Sequence, residues 1–301
     1  MKAAIIGANG QLGVDLCRAL AAQGVEIAPL THRDLDVSDA AQVDRILESS
    51  RPDVVISTAA YHKVDECEKQ PGQSFAVNAI GPLHLARACC RLDALLVHFS
   101  TDYVFDGKQQ RPYTESDLPG PLSVYAVSKL AGECMIPFNC RRYFVIRTCG
   151  LYGVAGSAGK GGNFVETMLK KAAEHAPIRV VNDQVLTPTF TGDLAEVVSQ
   201  IIRPDAYGRT DAYGLYHITA EGQCSWYEFA RKIFELEKLA VDLQPVSTAE
   251  FYSPVQRPAY SVLSKQKLNR LGLTMPKWEE GLARYLAARR TSIPRTTTAP
   301  A

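Results

Sequence analysis

The chain has 301 residues, and its 33 Lys and Arg nearly balance its 32 Asp and Glu, which gives a formal net charge of +1. That balance argues against a general nucleic-acid binder, which carries a basic excess, and no apolar run in the sequence is long enough to span a membrane. With 46% hydrophobic residues, a chain of this length can bury its own core, and its size suggests two domains, or one large domain with a smaller lobe.

The first two hundred residues alternate short β-rich runs with helical patterns. Most of the runs are apolar on both faces, as expected for strands that are covered by helices on each side. Strand and helix alternating at this spacing predict an α/β fold with a doubly wound, Rossmann-like parallel sheet. The predicted strands are Lys2–Ile6, Val25–Ala28, Asp53–Thr58, Leu95–Ser100, Phe144–Thr148 and Ile178–Val181, and the helices are Gln11–Ala22, Ala40–Glu48, Pro71–Leu92 and Tyr125–Pro137.

The pattern changes after about residue 150. Val154–Gly162 is rich in Gly and Ser and predicts a loop, after which helices are expected over Asn163–His175, Asp193–Ile202, Ser225–Leu239 and Pro276–Ala288, with a strand over Gly214–Thr219. We therefore expect a dinucleotide-binding domain over residues 1–152, with returning segments near 178–202 and 214–219. A smaller C-terminal substrate-binding lobe over 153–290 and a disordered tail over 291–301 complete the predicted organisation.

A glycine-rich turn directly follows the first predicted strand and opens the first predicted helix. Its sequence is Gly7-Ala-Asn-Gly10-Gln-Leu-Gly13. Glycines allow a tight turn and a close approach of the backbone to a pyrophosphate, which the amide groups at a helix N-terminus then bind. The alternative is an ordinary strand-to-helix turn, but the position favours a dinucleotide site. The candidate cofactor-binding residues are Gly7, Asn9, Gly10, Gln11, Leu12 and Gly13.

The end of the second strand predicts which nicotinamide cofactor binds. A carboxylate at this point favours NADH, whereas a cation favours the 2′-phosphate of NADPH. Arg33 can pair with a phosphate in bidentate fashion, although Asp34 follows it directly. NADPH is therefore favoured, and NADH stays open.

Two side chains on the helix after the fourth strand suggest acid–base chemistry. Tyr125 and Lys129 lie at positions i and i+4 of that helix and so share one face. A free phenol has a pKa of about 10, and lowering it by about three units takes about 4 kcal/mol. A cation about 4 Å away at an effective dielectric of about 20 supplies about that much. We therefore expect Lys129 to lower the pKa of Tyr125.

A hydroxyl at the end of the fourth strand completes the candidate site. Thr101 follows Ser100 at the carboxyl end of this strand, where open α/β sheets bind their ligands. Its hydroxyl could hold a substrate carbonyl against Tyr125, although a strand-terminal turn would use the same residue type. Together with the glycine turn, Thr101, Tyr125 and Lys129 predict a site that reduces a ketone.

These features resemble the extended short-chain dehydrogenase/reductases, over residues 1 to about 290. Within that superfamily, the sequence resembles the dTDP-4-dehydrorhamnose reductases. The stretches that carry this resemblance are Gly7–Gly13, Thr58–Asp65 with Glu68, Ser100–Phe105, Tyr125–Glu133, Arg147-Thr148, Val181–Gln184, Pro188-Thr189, Gly214–His217 and Arg257-Pro258.

The resemblance implies an activity and a set of site residues. The activity is NADPH-dependent reduction of the 4-keto group of a dTDP-linked deoxysugar, dTDP-4-dehydro-L-rhamnose giving dTDP-L-rhamnose. Catalysis falls to Thr101, Tyr125 and Lys129. The implied cofactor residues, besides the glycine turn, Arg33, Tyr125 and Lys129, are Asp36, Val37, Ala59, Ala60, Tyr61, Asn78 and Ser100, and the implied substrate residues are Thr101, Asp102, Tyr103 and Asn163. From the residues alone, Asn78 also fits a core or capping amide. Arg257 is the candidate for binding the substrate diphosphate, although a surface Arg before a Pro turn would have the same sequence.

The chain departs from the family pattern at one position. In these reductases Arg-Thr-Ser is typically followed by Trp, which packs near the sugar. Here the sequence is Arg147-Thr148-Cys149-Gly150. The missing aromatic ring leaves the identity of the sugar open.

Two other functions are compatible with parts of the pattern. A nucleotide-sugar epimerase or dehydratase has a similar fold, but dehydratases usually carry Thr-Asp-Glu, and Tyr103 stands where that Glu would be. A non-catalytic, NADP-binding regulatory subunit, similar to the β subunit of methionine adenosyltransferase, can also keep the nucleotide fold. The complete set of Thr101, Tyr125 and Lys129 favours catalysis.

The eight cysteines are scattered without the spacing of a metal site, so no structural metal is expected. Thiols without a disulfide framework fit a reducing cytoplasm. Some members of the family use Mg²⁺ at a subunit interface, and this resemblance leaves both Mg²⁺ and a homodimer open. The expected partner is the nucleotide-sugar substrate, without nucleic acid or membrane.

Overall fold

The structure is a computed structural model and describes residues 1–155, 162–203, 212–251 and 253–292. Its strands are β1 Lys2–Ile6, β2 Glu26–Leu30, β3 Val54–Ser57, β4 Leu95–Thr101, β5 Tyr143–Thr148, β6 Leu151–Tyr152, β7 Ile178–Val181, β8 Val185–Leu186, β9 Thr189–Phe190, β10 Gly214–His217, β11 Cys224–Ser225 and β12 Leu243–Val246. Its helices are α1 Gln11–Ala22, α2 Ala40–Ser50, α3 Val64–Lys69, α4 Pro71–Phe75, α5 Gly81–Leu92, α6 Val124–Met135, α7 Phe164–Ala173, α8 Thr191–Ile201, α9 Trp226–Glu237, α10 Gln266–Asn269 and α11 Trp278–Ser292.

Six parallel strands form the main sheet, in the order β10-β5-β4-β3-β1-β2. Every residue of β3 and β4 is buried, as a strand covered on both faces must be. The chain order reverses between β1 and β3, and this switch point is where open α/β sheets bind ligands. The predicted doubly wound fold is confirmed.

Two apolar layers cover the faces of the main sheet. On one face, α1 and α8 pack against the sheet, and the hydroxyl of Thr191 donates to the carboxylate of Asp15 at 2.5 Å between the two helices. On the other face, α2, α5 and the end of α6 bury residues such as Leu47 and Leu85. The sheet is therefore closed on both sides, and its carboxyl edge is left for a site.

A second core lies in the C-terminal part of the chain. Phe229 of α9 contacts Trp278 and Tyr152, and Tyr285 of α11 packs against Tyr152 as well. The strand β7 pairs with β12 in this lobe rather than with the main sheet. Of the segments expected to return to the main sheet, α8 and β10 therefore do so, whereas residues 178–181 belong to the second core.

The predicted helix over 71–92 is continuous but not regular. Between α4 and α5, Ala76–Ile80 forms one π-helical turn, which places Asn78 in the interior. Such turns are rare and are found mostly at functional sites. At the other end of the chain, α11 reaches Ser292, so the tail predicted from residue 291 does not begin before 293, and residues 293–301 lie outside the described residues. Most of the loop predicted over 154–162 lies outside them as well.

Among the described residues, no helix combines the length and the apolar character that a membrane span would need.

Candidate active site

The glycine turn adopts the geometry that a pyrophosphate site requires. Gly7 has a φ of +80°, which favours glycine, and a Cβ on Gly13 would lie 2.2 Å from the carbonyl oxygen of Gly7. A Cβ on Gly10 would lie 3.3 Å from the same carbonyl oxygen, which is a tight contact. Gly10 begins α1 without a side-chain cap, and the first turn of that helix contains no acidic residue. The three glycines thus allow a tight turn that packs closely against the start of the helix.

The loop after β2 leaves a cation free for the cofactor. The carboxylate of Asp34 accepts hydrogen bonds from the amide and the hydroxyl of Thr31, at 2.8 and 2.7 Å, and these bonds lower its pKa. Asp36 is likewise engaged by Ser38. Arg33 is exposed, and no acid within the described part of the chain forms an ion pair with it. The aspartate beside Arg33 therefore supports the turn, and the guanidinium stays available.

Three side chains of α6 bond to β4 and its neighbour. Tyr125, Lys129 and Glu133 lie at positions i, i+4 and i+8, and so form one stripe along the helix. The hydroxyl of Thr101 adjoins Tyr125 and favours its ionised form, and Glu133 accepts a hydrogen bond from Ser100. The helix is therefore fixed against the carboxyl end of the central strand.

Lys129 is held by two acceptors of β4. Its ammonium donates to the carbonyl of Phe99 at 2.6 Å and faces Nε2 of His98 at 3.3 Å. Burial lowers the pKa of Lys129 to about 8, although Glu133 opposes the shift. Burial, with Lys129 beside it, also lowers the pKa of His98, so a neutral imidazole can accept this bond. Two of the three ammonium hydrogens are thus used, and one remains for a ligand.

The state of Tyr125 differs from the sequence-based expectation. Burial raises the pKa of Tyr125, the bond from Thr101 opposes this, and the nearby charge of Asp102 adds to it. Lys129 does not produce the expected lowering, because its ammonium is turned toward the backbone of β4. The phenol therefore remains fully protonated at neutral pH, as a proton donor must be.

A buried ion pair ties α6 to β5. Arg147 and Glu133, with side chains 3% and 7% exposed, form three hydrogen bonds of 2.6, 2.9 and 3.1 Å. The guanidinium also lies over the ring of Phe105 and 3.5 Å from His217. Because both charges are desolvated, this network fixes the helix that carries Tyr125 and Lys129.

A second buried group adjoins Thr101. Asp102 is 3% exposed, and its carboxylate accepts from Thr101 at 3.0 Å and from the thiol of Cys149 at 2.9 Å. Ser261 also bonds to it. Tyr103 stands beside this group, with its ring edge-on to that of Tyr125 at 6.2 Å between centroids.

Arg257 lies at the open side of the same cluster. It bonds to the hydroxyl of Ser253 at 2.8 Å, lies 3.7 Å from the carboxylate of Asp65, and acts electrostatically on Tyr103. Its side chain is 26% exposed, so it can meet an anion that approaches Tyr103. This fits the expected contact with a substrate diphosphate.

Gly150 occupies the position at which the resemblance leads us to expect an aromatic ring. Its φ is +55°, and a Cβ there would lie 3.0 Å from Leu186 and 3.2 Å from the Cα of Pro188. A Trp would therefore require a different local backbone. The aromatic ring is therefore excluded by the backbone conformation of this turn as well as by the residue type.

Several predicted ligand-binding residues have their side chains engaged within the protein. Asn78 is fully buried and bonds to both the amide and the carbonyl of Tyr61 and to Ser128. Its effect on a cofactor pocket is to hold the Tyr61 loop in place. The hydroxyl of Ser100 bonds to Glu133, and the amide group of Gln11 bonds to the backbone of β6 and Gly153.

Two further assignments are corrected by the structure. Asn163 is expected to bind substrate, but its side chain caps α7 and donates to the carbonyl of Gly153 and to the hydroxyl of Tyr285. Both amide hydrogens are used inside the lobe. The side chain of Leu12 belongs to the apolar core against the sheet, so only its backbone amide could reach a cofactor.

Ala59 and Ala60 remain half-buried at the end of β3, and Val37 is buried beside Gly81. Asn9 is exposed at the tip of the glycine turn. These positions lie beside the switch point and are consistent with a cofactor that passes along the sheet edge.

Sequence reasoning missed four residues of this site: His98, Glu133, Cys149 and Ser261. Glu133 could have been found, because it continues the helical spacing of Tyr125 and Lys129 by one more turn. His98 lies within the predicted fourth strand, but the sequence does not show that its side chain faces Lys129. Ser261 comes from a distant loop and carries no local signal.

The described part of the chain contains no cluster of three or more His, Cys, Asp or Glu that could hold a metal ion. The eight cysteines are free thiols.

The chain matches known proteins along nearly its whole length. The sequence profile described as the RmlD substrate binding domain matches residues 1–291. A spore coat polysaccharide biosynthesis protein SpsK from Bacillus subtilis is 40% identical over 288 residues, with 96% of this chain and 98% of that protein covered. A dTDP-4-dehydrorhamnose reductase from Mycobacterium tuberculosis is 41% identical, with 94% and 92% covered.

Solved structures agree with these relatives. The crystal structure of dTDP-4-dehydrorhamnose reductase from Bacillus anthracis in complex with NADP has a TM-score of 0.88 and 39% identity, covering 95% of this chain and 99% of that one. The extent and level of this similarity, together with the arrangement of Thr101, Tyr125 and Lys129, place the chain in the dTDP-4-dehydrorhamnose reductase family.

Proposed function

We propose that this chain is an NADPH-dependent reductase that converts the 4-keto group of dTDP-4-dehydro-L-rhamnose to the alcohol of dTDP-L-rhamnose. The observation that carries the proposal is the arrangement of three side chains at the carboxyl end of β4. Thr101 lies beside Tyr125 there and lowers the pKa of its phenol against the effect of burial, and Lys129 is fixed to the same strand one helical turn away. This edge adjoins the switch point of the sheet, where a dinucleotide would lie.

The residues around the glycine turn fit NADPH. The tight glycine turn and the start of α1, which has no side-chain cap, suit a pyrophosphate. Arg33 is available to the 2′-phosphate, because Asp34 is occupied by Thr31. Support also comes from the relative in complex with NADP, which is 39% identical.

The chemistry follows from the protein groups. When bound, NADPH supplies the hydride that adds to the ketone carbon. Tyr125 donates its proton to the oxygen on which negative charge develops, and a buried phenol whose pKa is raised keeps that proton until the charge appears. Thr101 orients the same oxygen, and the fixed ammonium of Lys129 has one hydrogen left for a ribose hydroxyl.

The substrate would be held by groups on the open side of the cluster. Tyr103 and Asp102 adjoin Thr101, and Arg257 offers its charge to the diphosphate. With Gly150 in place of an aromatic ring, the sugar lacks one stacking surface, so we propose that contacts to the diphosphate and the base contribute a larger share of binding.

The test is NADPH oxidation, followed by absorbance, with dTDP-4-dehydro-L-rhamnose as substrate. Turnover by the wild-type protein and its loss in Tyr125→Phe, with NADPH binding retained, would support the proposal. Tyr143→Phe serves as a matched control, since this phenol is the first residue of β5 and lies at the opposite end of that strand from the candidate site. If the wild-type protein binds NADPH but oxidises it with neither this nor related 4-keto sugars, a regulatory role is favoured instead.

A further inference from the structure

The hydroxyl of Thr101 has a single hydrogen, and that hydrogen is used inside the protein. It is donated to Oδ1 of Asp102 at 3.0 Å, and the hydroxyl oxygen accepts from the amide of Tyr103 at 3.2 Å. Thr101 lies beside Tyr125, where a hydrogen bond from its hydroxyl stabilises the ionised phenol. While the hydrogen is given to Asp102, Thr101 cannot form that bond.

The arrangement reverses when Asp102 is protonated. A neutral carboxyl donates to Thr101, which then gives its own hydrogen to the oxygen of Tyr125. A phenolate that forms at Tyr125 during the reaction is then stabilised by a hydrogen bond from Thr101. The direction of the whole chain therefore depends on a single carboxyl group.

The surroundings of Asp102 allow both states. Burial raises the pKa of Asp102, whereas the hydrogen bonds from Cys149, Ser261 and Thr101 lower it. The other titratable groups that interact with Asp102 in the described part of the chain are Tyr103 and Tyr125, which are neutral because burial and Asp102 raise their pKa. The cation Arg257 acts on Tyr103 from the open side.

One of these bonds comes from Cys149. Its sulfur lies 2.9 Å from Oδ2 of Asp102, and it is 2% exposed. The pKa of this thiol is raised well above its ordinary value by burial and by the charge of Asp102, so the thiol keeps its hydrogen and acts as a donor. A thiol is a weaker donor than a hydroxyl.

We propose that the protonation state of Asp102 sets the direction of the hydrogen bonds through Thr101 to Tyr125, and that Cys149 is a positioning residue that tunes this state. The protonated form of Asp102 is the productive one. The inference rests on the proposed reductase function, and it assigns to Asp102 and Cys149 a role that Thr101, Tyr125 and Lys129 do not cover.

The kinetic test compares pH profiles of kcat. In the wild-type protein kcat falls as the pH rises through the titration of Asp102, and we call this decrease the high-pH limb. In Asp102→Asn the limb is absent, because the amide always donates to Thr101. Cys149→Ser gives Oδ2 of Asp102 a stronger donor and moves the limb to lower pH. Cys149→Ala removes the donor and moves the limb to higher pH. Each shift is roughly half to one pH unit, as expected for one hydrogen bond.

Cys90→Ala is the matched control, since this thiol is exposed on α5 and its loss should leave the profile unchanged. If Cys149 had a purely structural role, its variants would change the stability of the protein or the magnitude of kcat. They would not move the limb in opposite directions. A limb that persists in Asp102→Asn, or equal profiles in the two Cys149 variants, overturns the proposal.

An infrared titration separates this inference from the proposed function. The carboxyl band of Asp102, taken as the difference between the wild-type protein and Asp102→Asn, reports its protonation without any substrate. The band should titrate above the range of an exposed aspartate and shift in opposite directions in Cys149→Ser and Cys149→Ala. If the band shifts in opposite directions in the two Cys149 variants but the protein does not turn over dTDP-4-dehydro-L-rhamnose, only the proposed substrate is refuted. If the band titrates as that of an exposed aspartate, the inference about Asp102 is refuted.

Discussion

Removal of Glu133 tests whether the buried ion pair fixes the catalytic helix. In Glu133→Ala, the guanidinium of Arg147, whose side chain is 3% exposed, loses three hydrogen bonds. Its buried charge is then left without its partner. Breaking one partner of a buried pair costs about 3–5 kcal/mol of unfolding free energy.

The expected change in Tm follows from the size of the chain. With about 2.1 cal/mol/K of unfolding entropy per residue, 301 residues give about 0.6 kcal/mol/K, so Glu133→Ala should melt about 5–8 °C lower. Differential scanning calorimetry and urea unfolding measure the two quantities independently.

A surface pair provides the control. Lys232 and Glu235 form an exposed pair at 2.7 Å, and Glu235→Ala should cost less than about 0.5 kcal/mol. Replacing both Glu133 and Arg147 by Leu should recover much of the lost stability, because no uncompensated charge then remains. If Glu133→Ala is no more destabilising than Glu235→Ala, the reasoning about this network is wrong.

Three further predictions concern the cofactor site and the buried histidine. Arg33→Ala should raise the KM for NADPH about 10- to 100-fold and leave that for NADH nearly unchanged, since only NADPH offers a phosphate to this side chain; equal effects on both cofactors would contradict the role. Gly13→Ala should abolish NADPH binding, measured by fluorescence, because its Cβ would lie 2.2 Å from the carbonyl of Gly7, whereas Gly72→Ala, with nothing within 4 Å, should bind normally. Burial lowers the pKa of His217 to about 3, whereas the pKa in the unfolded state is about 6.5. Between these two values the unfolded state binds the proton more readily than the folded state. The free energy of unfolding therefore decreases as the pH falls below about 6.5, by roughly 1.4 kcal/mol per pH unit. His217→Gln should flatten this part of the unfolding free-energy profile, and an unchanged slope would show that other groups cause it.

Local patterns in the sequence predicted the parts of the structure that depend on near neighbours. The strand β1 and the helix α1 have the predicted bounds, and the glycine turn lies between them as expected. The helical spacing of Tyr125 and Lys129 placed both on one face of α6. These features follow from periodicity and from the conformational preferences of glycine, which a single sequence displays.

Features that depend on distant partners were not visible in the sequence. The apolar run 178–181 reads as a strand of the main sheet, but it pairs with β12 because the second core buries it there. Asn163 reads as a polar side chain near the site, but it caps α7. The orientation of Lys129 depends on a carbonyl of β4, and that is a tertiary contact that no local spacing encodes.

The π-helical turn at Ala76–Ile80 is a further case. Its sequence fits an ordinary helix, and the irregularity becomes understandable only through Asn78, which bonds to Tyr61 and Ser128 in two other segments. Gly132 of α6 lies against this turn, and a Cβ there would be 2.1 Å from the carbonyl of Asn78. The close approach of two helices, and not local preference, therefore sets this geometry.

The most direct test of the reductase assignment is to follow the transferred hydrogen. With NADPH that carries deuterium at the reactive position of the nicotinamide ring, and dTDP-4-dehydro-L-rhamnose as substrate, NMR of the product should show one deuterium at C4 of the sugar, and Tyr125→Phe should form none of this product. Product without deuterium at C4, or oxidation of the cofactor at an unchanged rate in Tyr125→Phe, would contradict the account.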